Sequence, residues 1–230
     1  MKSKALSYFS KGEWALWISS VAAILLSYLL FDQGSVLSLI ASLVGVTSLI
    51  FCAKGHPVGQ VLMILFSLLY GIISYFYAYY GEMLTYLGMS GPMAVVALIS
   101  WLRNPYKGSH AEVTVGRLNK GEPLLLCFMT AAVTVVFYFV LQWLGTSNLL
   151  PSTVSVTTSF AAAYLTARRS PWYALIYATN DVVLILLWTL AAMEDPSYLS
   201  VIVCFVAFLI NDLYGFICWR RMERRQAVSS

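Results

Sequence analysis

Apolar residues arrive in eight long runs, separated by short polar stretches that carry most of the charge. The runs cover residues 13–31, 35–53, 58–80, 83–102, 123–143, 152–167, 171–193 and 198–219. A helix needs roughly 20 apolar residues to cross the hydrocarbon core of a bilayer. The pattern therefore predicts an all-α integral membrane protein with eight transmembrane helices. The first run follows Lys2, Lys4 and Lys11 and so resembles a signal peptide at its start. Its apolar part, WALWISSVAAILLSYLLF, is too long for a signal-peptide core, and Asp32-Gln33-Gly34 follows where a small-residue cleavage site would stand. It reads as a retained helix. The KGHP stretch at 54–57 suits a tight helix-to-helix turn.

The charges sort by loop. With the N-terminus inside, every Lys and Arg of the chain falls in the inner segments, from Lys11, Lys54 and Arg103 through Arg168 and Arg169 to Arg225. The outer loops hold Asp32, Glu82, Glu194 and Asp195 and no basic residue. The positive-inside rule then places both termini in the cytoplasm. Composition agrees: 60% of the 230 residues are hydrophobic and 10% charged, against about 25% charged in soluble domains. The net charge of +4 is spread in short clusters between apolar runs, which argues against nucleic acid as a partner. Cys52, Cys127, Cys204 and Cys218 all lie in apolar runs and read as small buried hydrophobes. His56 and His110 lie in polar loops, so no metal site is expected. There is no phosphate-binding G-x-x-x-x-G-K loop, so ATP is not expected to act directly.

An internal repeat is visible. AKGHP (53–57) and ARRSP (167–171) each open an aromatic-rich helix, which crosses to an acidic outer loop. Each unit returns through a helix ending WLR (101–103) or WRR (219–221). Pro171 to Trp219 is four residues longer than Pro57 to Trp101. The expected organisation is an N-terminal segment and extra helix (1–34), a first three-helix repeat (35–103), a loop with a connecting helix (104–149), a second repeat (150–220) and a basic tail (221–230). One joining span makes the two units parallel repeats, a transporter plan with its site near the midplane at the repeat interface.

Polar residues deep in a span are costly and face a cavity or a partner helix. Asn180 and Asp181 fall near the middle of 171–193, and Asn211 and Asp212 near the middle of 198–219. Tyr173, Tyr177, Leu184 and Trp188 share a side with the first pair. In the first unit Gln60, Ser67, Tyr70, Ser74 and Tyr77 recur at helical spacing. Gly215 opens room for a ligand or a neighbouring helix. Trp101 and Trp219 are expected as anchors at the cytoplasmic interface. Aromatic faces beside a carboxylate suit a flat organic cation, and the amides and hydroxyls suit a ligand rich in hydroxyl or carboxamide groups. Two other uses stay open: the acids could carry protons, or the polar groups could simply tie helices together.

The stretches NDLYGFICW (211–219) and WYALIYATND (172–181), in this order and topology, resemble the PnuC transporters for nicotinamide riboside, over roughly residues 35–225. The resemblance implies a bacterial inner-membrane facilitator, a homotrimer with one substrate per protomer, in a fold related to the SWEET sugar transporters. It implies substrate binding by Asn180 and Asn211, with Trp188 and Tyr177 as stacking walls, no cofactor, and trapping of the substrate by phosphorylation. The first unit departs from the pattern, with Phe66-Ser67 where an Asn is expected. Relatives of the family carry thiamine or riboflavin, so these remain alternative substrates, as does proton coupling. The expected site comprises Asn180, Asn211, Trp188, Tyr177, Asp181, Asp212, Ser67, Tyr70 and Gln60. A membrane-embedded enzyme is the rival class; it would need Asp181 and Asp212 brought together around a water.

Overall fold

The computed structural model describes residues 8–32, 36–76, 80–146 and 148–229. Lys2, Lys4, Gln33, Gly34 and Tyr77, which carry expectations above, lie outside the described residues, as does residue 35 at the start of the second run.

Helix α1 (Lys11–Phe31) begins at a reciprocal cap, in which Ser10 Oγ accepts from Glu13 N and Glu13 Oε2 accepts from Ser10 N. It is followed by α2 (Val36–Ala53) and α3 (Val58–Phe76). The fourth predicted run is not one regular helix. It is α4 (Tyr80–Thr85), a single wide π turn (Tyr86–Ser90) and α5 (Gly91–Leu102). Residues 104–121, unassigned from sequence, contain a small antiparallel hairpin of β1 (Pro105–Tyr106) and β2 (Ser109–Val113). Then come α6 (Glu122–Trp143), α7 (Leu149–Ala167), α8 (Trp172–Ala192) and, after a short 3-10 turn (Pro196–Tyr198), α9 (Leu199–Val228). The stretch expected as a basic tail from 221 is thus mostly a continuation of α9.

Seven of the eight predicted runs form helical segments long and apolar enough to cross a membrane. The exception is α7, which has 19 residues but is diluted by Ser and Thr. Its hydroxyls have work to do. Thr157 meets Thr134 of α6 at 2.8 Å, and Ser155 and Thr158 both donate to Asn180 of α8. Large apolar side chains cover the outside of the bundle. Leu124, Phe128, Phe139 and Trp143 of α6 are more than 60% exposed, as expected for a lipid-facing surface.

α2 packs on α3, and α7 on α8; α2 also meets α9, while α7 meets α5. The turns that follow α2 and α7 share two closing bonds. Gly55 N donates to Cys52 O and His56 N to Phe51 O; Arg169 N donates to Thr166 O and Ser170 N to Leu165 O. Gly55 and Arg169 both hold a left-handed backbone, with φ 66° and 58°. An ion pair braces each turn from the preceding helix: Glu13 of α1 bonds Lys54, and Glu122 of α6 bonds Arg168. Tyr214 and Tyr164 donate to those same carboxylates at 3.1 Å.

Trp101 and Trp219, expected as anchors at the cytoplasmic interface, are buried among helices and do not face lipid. They are 1% and 0% exposed, inside the basic end of the bundle. Each indole N–H is consumed by a backbone carbonyl, which lets the whole ring be buried. The hairpin closes over this end: Val113 N donates to Gly55 O, and Gln226 of α9 bonds Val113 O and Val115 N.

Candidate functional site

Asn180 is 5% exposed, and its Oδ1 accepts from Ser155 Oγ at 3.0 Å and Thr158 Oγ1 at 2.8 Å. This joins α8 to α7. Asn211 is 2% exposed; its Nδ2 donates to Ala207 O and to Ser20 Oγ of α1, while its Oδ1 has no partner. Both amides thus act between helices here. The consecutive acids point another way. Asp181 and Asp212, 4% and 5% exposed, are electrostatic neighbours, and Asp181 Oδ2 has no hydrogen-bond partner. None of the ion pairs among the described residues involves either. Tyr177 stands in electrostatic range of both. Gln60 Nε2 donates to Cys52 Sγ at 3.3 Å, and Ser67, 0% exposed, has an unpartnered Oγ. Gly215 faces Ala174 of α8 and Ala53 of α2, and a methyl added there would meet them at ordinary contact distances, so the helix approach does not itself demand glycine.

The chamber lies beyond these groups, at the end of the bundle away from the basic residues. A cavity of about 540 Å³ is bounded by Tyr70 of α3, by Glu82, Thr85, Tyr86 and Ser90 of the α4–α5 segment, by Ser152, Ser155 and Ser159 of α7, and by Leu184 and Trp188 of α8. The loop residues Thr146, Asn148, Glu194 and Asp195 form its rim. Pockets of about 300–1,000 Å³ are the usual size for small-molecule sites. Its aromatic side is built from two pairs: Tyr70 and Tyr86 have ring centroids 4.6 Å apart, and Trp188 and Tyr198 5.2 Å apart. Tyr70, Glu82, Trp188 and Tyr198 also line a second cavity of about 170 Å³, toward α1 and α2. They form the partition between the two.

Of the nine residues expected at the site, Tyr70 and Trp188 line the large cavity. Ser67, Tyr177, Asp181, Asp212, Gln60, Asn180 and Asn211 line neither cavity. Asn180 is nevertheless one bond from it through Ser155, and Tyr86 lies in electrostatic range of Asp181. A membrane-embedded protease would need Asp181 and Asp212 brought together around a water, and neither acid lines either of the two cavities. Sequence reasoning missed Glu82, Tyr86 and the α7 serines. Glu82 looked like a loop acid because the charge count placed it outside. The serines did leave a signal: 152, 155 and 159 are spaced by three and four, one face of a helix.

A family model described as nicotinamide mononucleotide transporter matches residues 35–221. Among curated proteins, a nicotinamide riboside transporter PnuC from Neisseria mucosa is 25% identical over 217 residues, 93% of this chain and 82% of its own length. A nicotinamide riboside transporter PnuC from Haemophilus influenzae is 23% identical over 192 residues, 82% of this chain and 81% of its own. The crystal structure of the vitamin B3 transporter PnuC superposes with a TM-score of 0.81, covering 94% of both chains at 23% identity, which establishes the shared fold. With most of its length inside the family match and its helices arranged as in that structure, the chain is a multi-pass membrane transporter, not an enzyme, and belongs to the nicotinamide mononucleotide transporter family.

Proposed function

We propose that this protein carries nicotinamide riboside across the membrane by facilitated diffusion, with the large cavity as the chamber that receives it. The family description names the mononucleotide and the two curated relatives are named for the riboside, which differ by a phosphate. The observation that carries the choice is the charge of the wall. Among the described residues lining the cavity there are three carboxylates, Glu82, Glu194 and Asp195, and no Lys or Arg. A phosphate of charge about −2 would enter this wall without a counterion. A pyridinium ring meets a carboxylate and aromatic faces, while Ser152, Ser155 and Ser159 offer bonds to ribose hydroxyls.

In this reading Tyr70 and Trp188 touch the substrate first. Ser67, Tyr177, Asp181, Asp212 and Gln60 continue a polar seam below the cavity toward the basic end, with Asn180 and Asn211 fixing the helices beside it. Two parallel three-helix repeats, 35–103 and 150–220, rock about this seam. The matched turns after α2 and α7 and the exchanged packing of α2 on α9 and α7 on α5 support the repeat. The grouping of every Lys and Arg in one set of segments supports an inner-membrane location with cytoplasmic termini. A homotrimer is the assembly implied by the family.

The test is uptake of labelled nicotinamide riboside into proteoliposomes containing the purified protein, without ATP or an ion gradient. Uptake should be suppressed by excess unlabelled riboside and not by the mononucleotide, thiamine or riboflavin at equal concentration. Equal suppression by the mononucleotide, or no uptake above empty vesicles, would reject this function.

A further inference from the structure

We infer that Glu82 is the charge-recognising residue of the cavity, holding the positive ring of the transported ligand between Tyr70, Tyr86, Trp188 and Tyr198. The inference rests on the reading of the cavity as the substrate site and goes on to assign its specificity to one side chain. Three carboxylates line the chamber, but they are not equivalent. Glu194 and Asp195 are exposed on the rim loop, and Asp195 Oδ1 is already committed to Ser197 N at 2.9 Å, where it caps the 3-10 turn. A charge in open water interacts weakly with a ligand a few ångströms away, and salt screens it further. Glu82 differs in being half-buried; like Asp195 it borders both cavities, but none of its oxygens is committed to a backbone cap, and it forms no ion pair among the described residues.

The backbone explains how an acid that sequence assigns to a loop reaches this position. Glu82 and Tyr86 are one helical turn apart, so they share a face of α4 and the π turn. The wide turn shifts the register of the segment before α5 begins, and Thr85, Tyr86 and Ser90 all meet the cavity. π turns of this kind are frequent at functional sites. A second, independent feature lies beside it. Ser74, 1% exposed, lines the smaller cavity together with Glu82, and its Oγ has no partner. The region around the carboxylate therefore holds polar capacity that the protein itself does not use. A cation over aromatic faces beside a poorly solvated carboxylate is held far more firmly than a neutral ring of the same shape.

The decisive comparison uses two ligands of nearly one shape: nicotinamide riboside, whose ring is cationic, and its reduced dihydro form, whose ring is neutral. Calorimetry on the purified full-length protein in detergent should show the oxidised form binding at least tenfold tighter. In Glu82→Gln that preference should collapse to within about threefold, mostly through loss of the cationic ligand, while Glu82→Asp should retain it. A Glu82→Gln protein that keeps the full preference, or a collapse seen in Glu194→Gln instead, would overturn the assignment. If the unaltered protein binds neither form, the substrate assignment fails, whereas binding without a Glu82 effect rejects Glu82 alone.

Discussion

Trp101 and Trp219 meet with ring centroids 5.4 Å apart, and each donates its indole N–H to the backbone of another helix, α7 for Trp101 and α2 for Trp219. Trp101 Nε1 bonds Thr166 O at 2.9 Å, and Trp219 Nε1 bonds Cys52 O at 2.8 Å. Cys52 and Thr166 each stand five residues before the proline of their turn, so the exchange is reciprocal. Replacing either Trp by Phe removes one buried bond and shrinks the ring. Each change is expected to cost about 1–3 kcal/mol, with similar values for the two. Because the rings touch, the double variant should cost less than the sum. Thermal melting of the detergent-solubilised protein measures all three. A large cost for one Trp and none for the other would show that the two bonds are not equivalent.

His56 sits in the turn before α3, where its Nδ1 accepts from Val58 N at 3.2 Å. Tyr8 and Phe51 pack edge-on against its ring, at 5.7 Å each. Burial pushes its pKa below the ordinary histidine value. The sign follows from the folded state favouring the neutral ring: the stabilisation is present above the unfolded value near 6.5 and is lost as pH falls through the lower folded value. Protonation also removes the lone pair that Val58 N uses. Melting temperature should therefore fall between pH 7 and pH 5 by more in the unaltered protein than in His56→Gln. Parallel pH curves for the two would remove His56 from the account.

The helices were legible because lipid demands long apolar runs, and charge order told which loops share an end. The α4 break was not, because a π turn changes only backbone pairing and leaves the run Met83–Leu102 apolar. Nor was the burial of Trp101 and Trp219. A Trp beside Arg looks like a lipid-facing anchor, and only the carbonyls of Thr166 and Cys52 show that these rings turn inward. The polar pairs were found at once, but sequence cannot tell which neighbour a polar side chain faces. Asn180 and Asn211 were read toward a ligand; Ser155 and Thr158 take Asn180 Oδ1 and Ser20 takes Asn211 Nδ2, while Asn211 Oδ1 is left without a partner. Glu82 was visible and misplaced, since its depth depends on where the short α4 lies.

Asn180 therefore reaches the cavity through Ser155, and two substitutions separate its roles. Asn180→Leu leaves the hydroxyls of Ser155 and Thr158 without their shared acceptor between α7 and α8. It should lower stability by about 1–3 kcal/mol and weaken substrate binding as Ser155 turns away. Ser155→Ala keeps Asn180 bonded to Thr158 and should weaken binding with a smaller loss of stability. Paired melting and calorimetry would read both effects. Full affinity in Ser155→Ala would mean that this wall of the cavity does not touch the ligand.

The neighbouring Asp181 and Asp212 pose a different energetic problem. Two buried carboxyls with no ion pair to either among the described residues repel each other when both are charged, so a single proton held on one or between them relieves the cost. An amide can play one partner without that proton, since its NH₂ donates to the remaining carboxylate. Asp212→Asn should therefore leave melting temperature unchanged or raise it, whereas Asp212→Leu strands Asp181 and should lower it by several degrees. If the pair only joins α8 to α9, Asp212→Asn also transports at the normal rate. If the shared proton must leave during the cycle, the same variant folds well and transports slowly. Uptake into vesicles, measured beside melting on one preparation, distinguishes a helix-to-helix bond from a moving proton. A stable Asp212→Asn protein with undiminished uptake would confine the pair to holding the two helices together.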